Sequence, residues 1–458
     1  MGVSRVSPGL LLTLALLITR LAAWWARPLH EQGWLHLRIG GHFADGLGLR
    51  FNPGEPWEPV WSSLAPLWSA GVGALLAVGV EPQVALLALQ LCCECAVLWG
   101  LARLLADRPR VCFAAQACYV CLPQLARSGV GGSEASLGLA LSLHGLAGVR
   151  SVREGWLRGS SAGLLAGLAL LVRPEALLLA CFGRTRRFFL GFVAAALPAV
   201  LVFLTQGPLP PLEPVWQSEH VLSVLRRSLL PHDWLLPLLP LVLWGVRSAW
   251  RDPACSGARA LLTLALGTLC AQAAFPHPLY SWNLALVWTA WCVALALGVE
   301  VWQPRNERRQ RALLAGGVLV LVVLAAVTRS PVHERVHVPL IRWAESQSRL
   351  EPRARVLSSD VGAIGFGWRG TVLASEGWLW PPARRLEAVN NMLREAQPEY
   401  LLLSCERDRL LALRSDPWVL EHYQAVRRFS PDGSQELAPA PEQLPSTHRS
   451  DYLLFRRR

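Results

Sequence analysis

Glu31, His36, Arg38 and His42 lie close together in "HEQGWLHLRIGGHFADGLGLRFNPGEPWEPVWSSLAPLW", residues 30–68, between two apolar segments. Glu31 follows the first of these almost directly, which places a carboxylate where it can meet both a lipid headgroup and a water-borne acceptor. The spacing of His36, Arg38 and His42 brings some of them together on a helix lying along a membrane surface. "NPGEP" then makes a turn, Asn52 to Pro56, before the chain becomes apolar again. His30, His36 and His42 could join Glu31 around a divalent metal, but isolated interfacial histidines seldom do so, and no metal is expected. The alternative is an amphipathic interfacial helix anchored by Trp34, Trp57 and Trp61. Residue types alone leave both readings open.

Composition sets the surroundings of this stretch. Hydrophobic residues make up 53% of the 458 and charged residues 17%, against about 25% charged in an ordinary soluble domain. An integral membrane protein is expected. Its formal charge of +12 comes without a single lysine, and the arginines cluster between apolar segments as cytoplasmic anchors do, so nucleic acid is excluded as a partner. Most of the 11 cysteines, Cys92, Cys93 and Cys95 among them, sit in apolar runs with no zinc spacing, and read as small buried side chains.

Apolar stretches near the ~20 residues a bilayer requires fall at 9–25, 63–80, 84–105, 111–127, 136–149, 160–182, 187–205, 233–249, 259–276, 281–302 and 311–328. The first has a charged start and no convincing cleavage site, so it reads as an uncleaved span. Residues 1–328 thus read as a transmembrane domain, with residues 26–62 as its first external loop. Residues 329–458 change character: "ARVLSSD", "PEYLLLS" and "DYLLFRRR" read as strands, "PLIRWAESQSRL" and "RRLEAVNNMLREA" as helices, which together make an external α/β domain. All arginine clusters (103–110, 150–158, 184–187, 247–259 and 305–311) face the cytoplasm if 63–80 and the Arg173–Pro174-broken stretch 160–182 dip in and return, leaving nine crossings. With either nine or eleven crossings, the polar loop and the C-terminal domain share the external side.

The segment "FADGLGLRFNPGEPWEPVWSSL" resembles the first external loop of bacterial GT-C class glycosyltransferases, especially the mycobacterial terminal arabinofuranosyltransferase-like family. In that family an acidic pair and an arginine precede a pattern like "EGHGLVFNPGE", a second Glu and a Ser. Glu31 falls on the first acid, Arg38 on the arginine, and Gly46, Gly48, Asn52, Pro53, Gly54, Glu55, Glu58 and Ser62 on the rest. "SGVGGSEASLGLAL" is similar to the family's "SGLET" segment at Ser128, Gly129 and Glu134; "GLALLVRPEALLLA" to its "RPEG" segment at Arg173, Pro174 and Glu175; and "SSDVGAIGFGWRG" to its "DxGAI" turn at Asp360, Gly362 and Ala363. The sequence departs from the family in three places. Gln32 replaces the second acid, the late-span arginine is missing from "FPHPLYSWNLALVW", and no clear "PNT" segment appears in "QGPLPPLEPVWQSEH".

The resemblance implies a polytopic α-helical GT-C fold of about 9–11 membrane helices with a C-terminal α/β domain, in a bacterial inner membrane with its active site facing the periplasm or exterior. It implies transfer of a sugar, with inversion, from a polyprenyl-phosphate donor to an external envelope glycan, lipid or protein acceptor, with no cofactor. Transfer needs a base for the acceptor proton and a cation for the departing phosphate. Glu31 is the acid beside the first span, and Arg38 or Arg173 could hold the phosphate through a planar fork. Gln32, His36, Asn52, Glu55, Glu58, Glu134 and Glu175 would support them. Arg173 has an equally good use as the ion-pair partner of Glu175 or Glu134, since intramembrane charges rarely stand alone. Glu94 reads as another local partner and Asp360 as the cap of a turn. The competing reading is a catalytically degenerate relative acting as a scaffold in envelope assembly. A transporter, which would need paired broken helices at the bilayer midplane, fits less well.

The arginine clusters make a topological prediction. In a chain cleared of its native cysteines, Gly155→Cys should be shielded from impermeant thiol reagents applied outside intact cells, and cysteines placed at water-exposed positions within 30–60 and 329–458 should be labelled. External labelling at 155 would sink the two-dip topology.

Overall fold

The computed structural model describes residues 7–25, 29–52, 66–150, 156–183, 185–205, 238–274, 284–302, 336–374, 386–404, 413, 416–430, 435–437 and 451–458. The chain divides into two compact units, one of Met1–Trp24 with Leu87–Thr328, the other of Trp25–Leu86 with Arg329–Arg458. The first-loop segment therefore folds with the C-terminal part of the chain.

The helices in chain order begin with α1 (Pro8–Trp25), α2 (Glu31–Ala44), α3 (Pro66–Ala77), α4 (Pro82–Leu104), α5 (Pro109–Cys121), α6 (Pro123–Val130), α7 (Ala135–Arg150), α8 (Trp156–Val172) and α9 (Arg186–Thr205). They continue with α10 (Leu239–Arg251), α11 (Ser256–Ala274), α12 (Ala285–Trp302), α13 (His337–Leu350), α14 (Val361–Gly367), α15 (Leu386–Ala396) and α16 (Pro417–His422). By length and composition Pro8–Trp25, Pro82–Leu104 and Pro253–Cys270 suffice to cross a membrane. α3 has 12 residues, a rise of about 18 Å against ~30 Å of hydrocarbon. The candidate span 311–328 lies outside the described residues.

Proline divides the longer apolar stretches. Before Pro174, Arg173 takes φ −143°, ψ 119°, so α8 ends at Val172 and a 3-10 helix runs Pro174–Phe182. Leu122, before Pro123, is likewise extended at φ −72°, ψ 117° and separates α5 from α6. The cause is the same at both places: the proline ring excludes helical geometry from the residue ahead of it and removes a backbone donor.

One buried ion pair ties α1, α4, α5 and α7 together in the first unit. Arg20, 0% exposed, donates through Nε to Glu94 Oε2 at 2.7 Å and through Nη1 to the Val120 carbonyl at 2.9 Å. The other Glu94 oxygen accepts from the Tyr119 hydroxyl at 2.8 Å and the Ser136 hydroxyl at 2.5 Å. Ionised groups leave water only when such partners replace it.

The second unit is a six-stranded sheet between helices. Its strands are β1 (Val356–Ser358), β2 (Val372–Ala374), β3 (Tyr400–Ser404), β4 (Tyr423–Phe429), β5 (Gln435–Leu437) and β6 (Tyr452–Arg457), in the order β2-β1-β3-β6-β4-β5. β2, β1 and β3 run parallel, and β6, β4 and β5 add antiparallel neighbours with an irregularity at Ala425/Arg427. One face packs on Leu35 and Ile39 of α2 together with Leu340, Trp343 and Ile364 from α13 and α14. The other is covered by Val389 and Leu393 of α15 and Val419 of α16. The expected strands around 354–360, 398–404 and 451–458 contain β1, β3 and β6. The short β2 and β5 carry too few residues for a period-2 pattern to register.

Arg20→Leu should destabilise the chain by about 3–5 kcal/mol, because it leaves Glu94 buried without its cation. Adding Glu94→Leu should recover part of that loss. Detergent-phase unfolding of the single and double variants checks this; equal melting of Arg20→Leu and wild type would contradict it.

Candidate functional site

α2 carries the polar stretch, and its residues serve different faces. His30 is the N-cap residue, in an extended conformation, and its carbonyl accepts from the Gly33 amide at 2.9 Å. Glu31 is the first helical residue. One turn apart on one face come Gln32 and His36; His36 Nδ1 lies 2.8 Å from the Ser69 hydroxyl of α3. Gln32 is 3% exposed, and its Oε1 has no hydrogen-bond partner among the described residues. Trp34, on another face, packs its ring 5.0 Å from that of Phe366.

Arg38 sits at the centre of the second unit. Its Nε donates to the Phe51 carbonyl at 2.6 Å, Nη1 to the carbonyls of Gly365 and Trp368, and Nη2 to Asn52 Oδ1 at 3.2 Å and the Gly370 carbonyl at 3.0 Å. A guanidinium has five N–H donors, and these contacts engage all five. Gly365 and Trp368 lie in the last turn of α14 and just beyond it, where carbonyls lack intrahelical donors and carry the negative end of the helix dipole. The Arg38 cation also lies 4.7 Å from the centre of the Phe51 ring. A Cβ on residue 365 would come within 3.0 Å of Arg38 Cδ and the Phe51 ring, so glycine is required there for the approach.

Asn52 completes the docking of the loop. Its Nδ2 donates to the Val372 carbonyl at 2.9 Å and its Oδ1 accepts from the Val372 amide at 3.0 Å. β2 is an edge strand, and this side-chain amide stands in for the missing neighbour strand. Gly46 and Gly48, with φ of +77° and +84°, make the left-handed turn that brings the chain from α2 back to Asn52. His42 Nδ1 meets the Arg50 carbonyl at 2.8 Å, and burial pushes this imidazole below its ordinary pKa. Glu55 and Glu58 lie outside the described residues.

Within the first unit, Arg173 meets Glu134 at 3.2 Å through Nη2. The pair sits where two helices break: Arg173 between α8 and the 3-10 helix, Glu134 just ahead of α7. Glu175 lies in the first turn of the 3-10 helix. The Glu134 side chain is 2% exposed and that of Arg173 14%, so the cation is the more accessible partner. Ser133, beside Glu134, is buried with a hydroxyl that has no partner among the described residues.

Asp360 caps α14 by accepting from the Ala363 amide at 3.1 Å through Oδ1. Its Oδ2 accepts from the Tyr452 hydroxyl at 3.0 Å and faces His337 Nε2 at 2.7 Å. Burial would raise its pKa, but His337 and the bonds from Ala363 and Tyr452 hold the carboxyl below its ordinary range. Two residues escaped the sequence reading. Arg20 was visible as the lone cation of the first apolar span, whereas His337 has no sequence signal beyond opening a helix after the last one. Among the described residues, no three His, Cys, Asp or Glu side chains gather in a way that could hold a metal ion.

No protein-family profile matches the chain, and no curated protein matches its sequence. Solved structures do match in fold. ArnT from Cupriavidus metallidurans bound to undecaprenyl phosphate is 10% identical, with 97% of each chain covered and a TM-score of 0.55. The Archaeoglobus fulgidus oligosaccharyltransferase tethered with an acceptor peptide is 13% identical over 94% of this chain and 74% of its own, with a TM-score of 0.53. A mycobacterial arabinofuranosyltransferase AftD variant is 13% identical over all of this chain and 42% of its own, with a TM-score of 0.52. These are GT-C glycosyltransferases, and the chain is a membrane protein with their fold.

The five-donor contact of Arg38 makes a stability prediction. Arg38→Met should cost about 3–5 kcal/mol, since it strips several buried carbonyls of their donor at once. Arg38→Lys, with three donors and no fork, should restore only part of this. Unfolding in detergent measures both, and a loss below ~1 kcal/mol for Arg38→Met would show that the contact holds nothing together.

Proposed function

We propose that the protein is an inverting membrane glycosyltransferase that moves a sugar from a polyprenyl-phosphate donor to an external acceptor on an envelope glycan, lipid or protein. The observation that carries this reading is the fold shared, over 97% of both chains, with a protein bound to undecaprenyl phosphate. Supporting it are the acid that opens α2 and the ion pair at the break between α8 and its 3-10 helix. The site and the C-terminal domain face the periplasm or exterior of a bacterial inner membrane, and the sequence segments that cross it number nine to eleven.

Glu31 takes the proton from the acceptor hydroxyl as that oxygen attacks the anomeric carbon. The bond from that carbon to the phosphate oxygen breaks, and the phosphate leaves with the electron pair. Charge therefore builds on two oxygens at once, and each needs its own counterpart. For the phosphate we assign Arg173. Arg38 has all five donors on oxygens of its own unit, whereas Arg173 pairs with Glu134 at a helix break and its side chain is 14% exposed. A phosphate can share that guanidinium or replace Glu134 on it. His36 and Asn52 act by holding α2 and the loop after it in place, through Ser69 and Val372.

Glu31→Gln should lower transfer by about 100–10,000-fold, the usual worth of a positioned base, with donor binding retained. Gln32→Ala should weaken transfer less. Arg173→Gln should weaken donor binding itself. The assay is transfer from a panel of radiolabelled polyprenyl-phosphate sugars by the purified chain. Wild-type rates in folded Glu31→Gln would discard the base role. A folded wild type that binds a donor yet transfers none of the panel's sugars would favour the scaffold.

A further inference from the structure

We propose that His337 is a positioning residue for the base: as an imidazolium it ties the Leu29 carbonyl, two residues ahead of Glu31, to the Asp360 carboxylate. This rests on the role proposed for Glu31. The observation behind it is a histidine with an acceptor at each ring nitrogen. Nε2 lies 2.7 Å from Asp360 Oδ2, and Nδ1 lies 3.4 Å from the Leu29 carbonyl oxygen. A carbonyl oxygen only accepts hydrogen bonds, and an ionised carboxylate only accepts. Both contacts are made at once only when both nitrogens carry a proton, which is the charged form of the ring.

The rest of the junction is fixed. The His337 side chain is 3% exposed, and Asp360 is held in turn by the Ala363 amide and the Tyr452 hydroxyl. Leu29 is itself 4% exposed, and the next carbonyl along, that of His30, already accepts the first helical amide bonds of α2. A shift at Leu29 is therefore passed to the helix start, where Glu31 stands. Among the described residues, the ionisable neighbours at this junction are Asp360, Tyr452 and the buried His30, while Arg342 and Glu345 further along α13 are exposed. His337 opens α13, and a cation is unfavourable at the positive end of a helix. The Asp360 carboxylate offsets that penalty and keeps the ring charged.

The sign follows from the contact. The carbonyl tie is present while the imidazolium persists and is lost as pH rises through its deprotonation, when a ring lone pair would face the carbonyl lone pairs. On the acid side, Asp360 supports the junction above the ordinary carboxyl pKa, and that support fades as pH falls through its lowered folded value.

Asp360→Asn removes the charge that favours the imidazolium but keeps the shape. In the full chain, the alkaline limb of kcat should move down by roughly 1–3 pH units, with the KM for the polyprenyl-phosphate donor unchanged at pH values below the limb. His337→Gln, which cannot titrate, should give a low kcat with no limb from this group. In wild type, hydrogen exchange at the backbone amides of residues 29–36, corrected for intrinsic rates, should accelerate across the same pH range in which kcat falls. An unmoved limb in folded Asp360→Asn would overturn the proposal, and so would amide protection that stays constant across that range. If Asp360→Asn does not fold, the wild-type exchange profile decides alone. If wild type transfers no sugar, the proposed function fails, and the same profile still decides whether His337 holds the helix start.

Discussion

A guanidinium buried with all five of its donors on oxygens of its own unit governs the second unit. Arg38 reaches carbonyls at the end of α14, more than 300 positions away in sequence, together with Phe51 and Asn52 of its own loop. Among the described residues, the carbonyls of Phe51, Gly365 and Trp368 would otherwise be buried acceptors without a donor, at a cost of about 1–3 kcal/mol apiece. The loop and the C-terminal sheet are thus mutual conditions: the sheet's edge is closed by Asn52, and the helix after β1 ends on Arg38. Much of the polarity of the first loop is explained by this docking. Arg38, Asn52 and His36 are polar because they satisfy backbone and hydroxyl groups.

The first unit treats its cations in two ways. Around Arg20 every group is matched: Glu94 receives Tyr119 and Ser136 as well as the arginine, and the cluster is sealed. Such saturation is what a structural pair in a dry interior requires. Arg173 differs in its backbone. It is extended because proline follows it, so its side chain leaves the chain at a helix break, where it pairs with Glu134 and stays 14% exposed. The proline, rather than the arginine, sets the break at this position.

The membrane class and the C-terminal alternation of strands and helices were legible in the sequence because hydropathy and period are local properties. The strands around 356, 400 and 452 announce themselves by runs of Val, Leu and Tyr. β2 does not, since its three residues gain strand identity only from β1 beside them and Asn52 on the free edge. The same limit applies to the side chains. "FNPGE" marked Asn52 as a loop residue, but nothing local says that its amide pairs with Val372. His337 and Leu29 lie 308 positions apart, and only the fold makes them neighbours. The Arg20–Glu94 pair was within reach, because two opposite lone charges in separate apolar runs can be buried only against partners.

The neutral amide at position 32 bears on how a single acid could serve as base. A second carboxylate beside Glu31 would oppose its ionisation through like-charge repulsion, so that one of the two would carry a raised pKa. Gln32 removes that repulsion and keeps an oxygen, one that is buried and has no partner among the described residues. The departure from the paired-acid pattern is therefore compatible with the base role proposed for Glu31. What it removes is the second negative ligand that would make a divalent cation comfortable at the same place.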